Sequence, residues 1–282
     1  MGEIRVGTCA WSDYMGFYPP HLPPQQRLSY YARHFSVVEI DNAFYAMPTV
    51  QRMEKWAQQT PDHFCFDVKA PATMTLHDRG NPERVERAGI FSTFVEALSP
   101  LHRSGKLGVI LLQFPPWFAS DAGSWRYLER AVARLQPYTV AVEFRERSWF
   151  EDVQRTEETL AHLREIGAVH VIADEPQIGR YCIPAVWAVT HPQFAVLRMH
   201  GRNQKMWHGP HKSSRERFDY HYTLDELAGL LPNVQRIAGR VEALHLLMNN
   251  NAQDYAWRNA LDWKKLLGET TMFHTAEQPT LF

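Results

Sequence analysis

The chain has 282 residues, 45% hydrophobic, 12% aromatic and 22% charged, with 30 Lys and Arg against 31 Asp and Glu. That length buries a sizeable core as one large domain or two small ones, and the composition excludes a disordered or fibrous chain. A net charge of −1 excludes a globally basic nucleic-acid binder and leaves a local basic patch open.

No apolar run approaches the roughly 20 residues of a membrane helix. The start, Met1-Gly-Glu-Ile-Arg, runs straight into a strand-like segment without the basic and apolar regions of a signal peptide. Cys9, Cys65 and Cys182 form no CxxC pair and cannot all be disulfide-bonded within the chain, which fits a reducing cytoplasm.

In chain order, short apolar or β-branched runs predict strands at Ile4–Thr8, Val37–Asp41, Phe64–Lys69, Gly108–Gln113, Thr139–Phe144, Val169–Asp174, Phe194–Met199 and Ala243–Met248. Several are continuously apolar, as parallel strands buried on both faces are. Amphipathic stripes lie between them: Leu28, Tyr31, Ala32 and Phe35; Val50, Met53, Trp56 and Ala57; Trp125, Leu128, Val132 and Leu135. Thr223-Leu-Asp-Glu226 reads as a capping box opening a helix through Leu231. Eight strands alternating with helices predict a single α/β domain, a (β/α)8 TIM-like barrel over residues 1–269, with a tail at 270–282. An open doubly wound sheet would show a Gly-rich phosphate turn after an early strand. Strand 1 ends instead in Gly7-Thr-Cys-Ala-Trp11.

Barrel chemistry sits at the C-terminal strand ends. There the sequence places Glu39, with Asn42, Phe44 and Tyr45 in its loop, then Lys69, Gln113, and Glu143 followed by Arg145 and Trp149. Asp174, Arg198, His200, Asn249 and Asn250 complete the ring. Ion pairs closing the barrel top are the plain alternative to a functional pocket. Lys69, Arg145 and Arg198 suit an anion such as phosphate, and Glu39, Glu143 or His200 suit acid–base work. Two carboxylates also raise a weak glycosidase reading. The sequence requires no cofactor, and a divalent metal on Glu39, Glu143, Asp174 and His200 is disfavoured because the neighbouring cations compete for the same carboxylates. The loop Gly201–Phe218 carries Arg202, Lys205, Lys212, Arg215 and Arg217 among Trp207, His208 and His211, with Tyr220 and Tyr222 following. Cations interleaved with aromatics suit phosphate contact and base or sugar stacking. Trp11 to Pro19 and Phe114-Pro-Pro-Trp117 wall the same pocket or cap the core, the latter preferred for Phe17 and Phe114.

These residues resemble a known family, domain of unknown function 72, also called YecE-like. The matching motifs are Gly7-Thr with Trp11 and Phe17-Tyr-Pro19, Val38-Glu-Ile-Asp-Asn-Ala-Phe-Tyr45 with Pro48, Trp56 to Pro61, and Phe64-Cys-Phe-Asp-Val-Lys69. Leu112-Gln-Phe-Pro-Pro116, Val142-Glu-Phe-Arg145 with Ser148-Trp149, Leu197-Arg-Met-His-Gly-Arg202, Tyr220-His-Tyr222 and Met248-Asn-Asn250 with Asn259-Ala260 follow. The resemblance spans residues 4 to about 266 and implies a TIM-like barrel without fixing an activity. The chain departs from the family pattern at Cys9-Ala10, where Ser-Gly is usual, and at Ala43, where serine is usual.

The last five residues, Gln278-Pro-Thr-Leu-Phe282, resemble the bacterial sliding-clamp-binding pentapeptide. It is a short tether presenting Leu281 and Phe282 to an apolar cleft, with Gln278 at its edge. The leading expectation is therefore a DNA-associated, clamp-tethered barrel enzyme handling a phosphodiester or damaged nucleotide in repair. The alternatives are a small-molecule enzyme acting on a sugar or sugar phosphate, and a non-catalytic nucleic-acid or anion-binding module.

Overall fold

The computed structural model describes residues 2–79, 82, 85, 89–179, 182–207 and 214–269. Its strands are β1 (Glu3–Thr8), β2 (Val37–Ile40), β3 (Cys65–Lys69), β4 (Leu107–Gln113), β5 (Val140–Glu143), β6 (Val169–Asp174), β7 (Phe194–Met199) and β8 (Ala243–Met248). All pair in parallel, in sequence order, and β8 returns to β1 to close the barrel. Each expected run is a strand to within one residue at either end.

The described helices are α1 (Arg27–Tyr31), α2 (Val50–Gln58), α3 (Ile90–Arg103), α4 (Ala122–Arg134), α5 (Val153–Glu165), α6 (Gln204–Trp207), α7 (Ser214–Arg217), α8 (Leu224–Ala238) and α9 (Tyr255–Leu266). The apolar stripes bury against the outside of the strands, for example Met53 and Ala57 on α2 and Leu128 and Val132 on α4. The capping box of α8 forms on both sides, Thr223 Oγ1 accepting from Glu226 N and Glu226 accepting from Thr223 N. α8 does not stop at Leu231 but runs through Pro232 to Ala238, because its buried face continues with Val234, Ile237 and Ala238. Burial of those side chains outweighs the one backbone bond that proline removes.

Alternation along the strands divides the core in two. One set of side chains packs outward against the helices. The other fills the lumen: Cys9, Val37, Cys65, Val109, Leu111, Ala141, Val169, Val171, Val196 and Leu247. β1 approaches β2 so closely that a Cβ on Gly7 would stand 1.9 Å from the Val37 carbonyl oxygen, so only glycine fits there. Cys9, Cys65 and Cys182 are all buried free thiols. Among the described residues no helix is long and apolar enough to cross a membrane. The tail residues Gln278, Leu281 and Phe282 lie outside the described residues, as do His208, His211 and Lys212.

Candidate functional site at the barrel mouth

Three strands turn charged side chains into the top of the lumen, where none is left without a counter-charge. Arg198 of β7 is fully buried. Its Nε and Nη2 donate to the two Glu39 oxygens at 2.9 and 2.7 Å, and its Nη1 donates to Glu143 at 2.5 Å. The other Glu143 oxygen lies 2.6 Å from Arg145 Nε and 3.2 Å from His200 Nε2. Arg145 Nη1 then reaches Glu175 at 2.8 Å. Asn249 Nδ2 lies 2.8 Å from His200 Nδ1, and Arg145 Nη2 and Glu143 each lie 3.2 Å from its Nε2.

The titrations follow from this wiring. Burial would push Glu143 up, but Arg198 and Arg145 outweigh it and hold the carboxyl well below its usual range. Burial, with Arg145 beside it, lowers His200 to about 3, so it stays a neutral imidazole at physiological pH. Burial lifts Glu39 above the usual carboxylate range against the pull of Arg198. Burial also lifts Glu175 to about 6, although Arg145 and the Ile183 N–H oppose the shift.

Above this floor opens a cavity of about 960 Å3. Its polar wall includes Asp41, Lys69, Gln113, Arg145, Glu175 and Asn249, and its aromatic wall includes Phe44, Tyr45, Trp117, Trp207 and Phe218. Lys69 donates to Asp41 at 2.8 Å and stands 4.4 Å from the Phe44 ring centre. Trp207 is buried, with the guanidinium carbons of Arg145 and Arg217 at 5.9 and 5.7 Å from its ring centre. α6 and α7 thus bring the loop after β7 against the mouth. Burial, with Lys69 and Arg145 nearby, lowers His77 on the cavity wall to about 4.

The expected site residues fall into four groups. Lys69, Tyr45, Gln113, Arg145 and Asn249 line the cavity. Glu39, Glu143, Arg198 and His200 form the buried floor beneath it. Asp174, Arg202, Tyr220, Tyr222 and Asn250 belong to a neighbouring bracket that ties the loops after β6, β7 and β8 together. There Arg202 grips both Asp174 oxygens at 3.0 and 2.7 Å, and Tyr222 donates to Asp174 at 2.5 Å. Asn250 Nδ2 donates to the Tyr220 carbonyl at 2.8 Å. The last two residues stand apart. Trp149 is core, stacked on Phe144 with centroids 4.0 Å apart and donating from Nε1 to the Phe118 carbonyl. Asn42 is exposed on the turn after β2, where its carbonyl accepts from Tyr45 N and Ala46 N.

Two features differ from the sequence expectation of an anion-taking ring. Lys69, Arg145, Arg198 and Arg202 each already hold a carboxylate, and Asp13, Asp41, Glu175 and Asp254 share the cavity lining with Lys69, Arg145 and Arg217. Glu39 and Glu143 are bridged by one guanidinium, an arrangement that flanks no substrate bond. Sequence reasoning missed Asp41 and Glu175 as site residues, although each sits one position from a residue it singled out or at the end of a run it drew.

A closed (β/α)8 barrel with a polar, aromatic-walled cavity over the C-terminal strand ends has the architecture of a TIM-barrel protein. The model of the family described as "Protein of unknown function DUF72" matches residues 5–281, and the chain belongs to that family. It is 35% identical over 267 residues to UPF0759 protein YunF of Bacillus subtilis (strain 168), covering 94% of both chains. Among solved structures it resembles a DUF72 family protein from Enterococcus faecalis V583 (TM-score 0.86, 27% identity, 98% of this chain and 99% of that one). It also resembles one from Thermotoga maritima MSB8 (TM-score 0.81, 32% identity, 95% and 100%).

Proposed function

We propose that the barrel mouth is the active site of an enzyme that binds a small polar ring, a sugar or sugar phosphate, and performs general acid–base chemistry on it. The observation that carries this reading is Glu175, a cavity-lining carboxyl lifted by burial to about 6, which holds or yields a proton near neutral pH. A cavity of about 960 Å3 admits one or two sugar units. Tyr45, Phe44 and Trp117 supply flat apolar faces, and Gln113, Asn249 and Asp41 supply the donors and acceptors that hydroxyl groups need. Pairing of every described strand-end cation favours a neutral or singly charged ring over a polyanion.

In this reading Arg145 is the pivot. It holds Glu175 on one side and Glu143 on the other, so the buried floor of Glu39, Arg198, Glu143 and His200 fixes the acid–base group without touching substrate. Lys69, held by Asp41, presents its remaining ammonium protons to the cavity and orients a hydroxyl or a single phosphate. The test is turnover across sugars and sugar phosphates by wild type and Glu175→Gln. Glu175→Gln is expected to lower kcat by at least about a hundredfold with a much smaller change in KM. Unchanged kcat would remove Glu175 from the mechanism.

A second reading rests on the terminal pentapeptide. Gln278, Leu281 and Phe282 fit a clamp-binding tether, which would bring the barrel to replicating or repaired DNA and make the ring a nucleotide sugar within a strand. Anisotropy with the sliding clamp, using the intact chain and one lacking residues 278–282, tests it. Binding lost on truncation supports the tether, and an intact chain that does not bind ends it.

A further inference from the structure

The lumen holds a second polar cluster, on the N-terminal side of the arginine floor. Cys65 and Asp67 lie two residues apart on β3 and so point the same way. His245 enters from β8, beside Arg5 in the register of β1. All three are buried, and one potential ligand atom from each lies within 4.8 Å of the other two. We propose that Cys65, Asp67 and His245 form a binding site for a divalent transition-metal ion of the zinc class. The site is independent of the reading of the barrel mouth.

The chemistry of the donor set fits. Thiolate, imidazole and carboxylate are the ligands zinc takes, at about 2.3 Å for sulfur and about 2.0–2.2 Å for nitrogen and oxygen. Ligand atoms around such an ion stand about 3.5 Å apart, so the cluster closes on it with shifts of about an ångström. Asp67 is anchored for the purpose. It accepts from Val109 N at 2.9 Å and lies 2.9 Å from His245 Nδ1, which fixes both side chains at the cluster.

One further observation points to an occupant. His245 Nε2 is completely buried and has no hydrogen-bond partner, a costly condition for a polar atom and one that a ligand relieves. The cluster also crowds the backbone of β4. A Cβ on Gly108 would meet Asp67 Oδ1 at 2.3 Å, Cys65 Sγ at 2.7 Å and His245 Cε1 at 2.8 Å, so the three side chains converge where no side chain of β4 can stand.

The full-length, reduced protein is stripped with chelator and titrated with Co2+, then Zn2+, with metal content measured by mass spectrometry. One equivalent is expected, with a thiolate-to-Co2+ charge-transfer band that Zn2+ displaces. Cys65→Ser is expected to abolish the band and weaken binding by at least about tenfold, while Cys182→Ala retains both. Should Cys65→Ser fail to fold, a variant carrying Cys9→Ala and Cys182→Ala leaves Cys65 as the only thiol and must still show the band. A folded protein that takes up no ion at tenfold excess overturns the proposal. So does a band that survives Cys65→Ser or is missing from the variant with Cys65 alone.

Discussion

Arg198 is the residue on which the barrel top depends. It neutralises two fully buried carboxylates at once, and removing it would strand Glu39 and leave Glu143 with Arg145 alone. Arg198→Met is expected to cost about 3–5 kcal/mol, read as a lower urea midpoint at unchanged m-value. A loss under about 1 kcal/mol would mean that water reaches the floor and solvates Glu39 and Glu143. His170 and His200 are buried and His77 half-buried as neutral rings, lowered to about 4, 3 and 4, chiefly by desolvation. The unfolded chain protonates them near 6.5, so it binds more protons than the folded protein below that value. Their stability is complete above about pH 6.5 and is lost as the pH falls toward their folded values. Glu39 and Glu175, raised to about 7 and about 6, work in the opposite sense, their contributions being present below about pH 4.3 and lost as pH rises through those values. Unfolding free energy is therefore expected to fall between about pH 6.5 and 5, and more steeply in Glu175→Gln than in wild type. A flat profile over that interval would contradict the neutral buried histidines.

The elements were legible because each run states its environment. Val109-Ile-Leu-Leu112 reads as a strand covered on both faces, and Thr223 with Glu226 as the start of a helix. The end of α8 was not legible from the residues around Pro232. What keeps the helix going is burial of Val234 and Ile237 against the barrel, which no local pattern before the proline announces. Thr223→Ala removes an acceptor for the Glu226 N–H and is expected to cost about 1 kcal/mol, or about 2–4 °C in Tm. An unchanged melting temperature would mean that packing alone holds the start of α8. The site was legible as a ring of polar types at strand ends and illegible as chemistry. Asp174 and Glu175 are neighbours with the same charge, yet Asp174 is locked by Arg202 and Tyr222 while Glu175 faces the cavity. Which of two adjacent carboxylates turns inward depends on the loop that follows β6 and on Arg145, a partner 30 residues away. The pairing of Lys69 with Asp41 across 28 residues was hidden for the same reason. Cations that look free along the chain are neutralised in three dimensions.

At the scale of the whole molecule, the barrel gathers its buried charges in the lumen. The C-terminal mouth couples a cavity to a saturated arginine–glutamate floor, and the thiol–imidazole–carboxylate cluster adjoins that floor, Asp67 beside Glu39, and extends toward the N-terminal end at Cys65. Glu39 and Asp67 are register partners on β2 and β3, so floor variants at Glu39 and cluster variants at Asp67 are expected to act non-additively on stability, as a double-mutant cycle in urea would read. The most direct test of the mouth as a ligand site is titration calorimetry of the intact protein with a panel of aldoses, ketoses and their phosphates. It would be repeated on Trp117→Ala and Gln113→Ala, which change the cavity wall and spare the buried floor. Saturable one-to-one binding of at least one sugar, weakened about tenfold or more in both variants, is the expected result. If no member of the panel binds, or if binding is as tight in both variants, the mouth is not the sugar site described here.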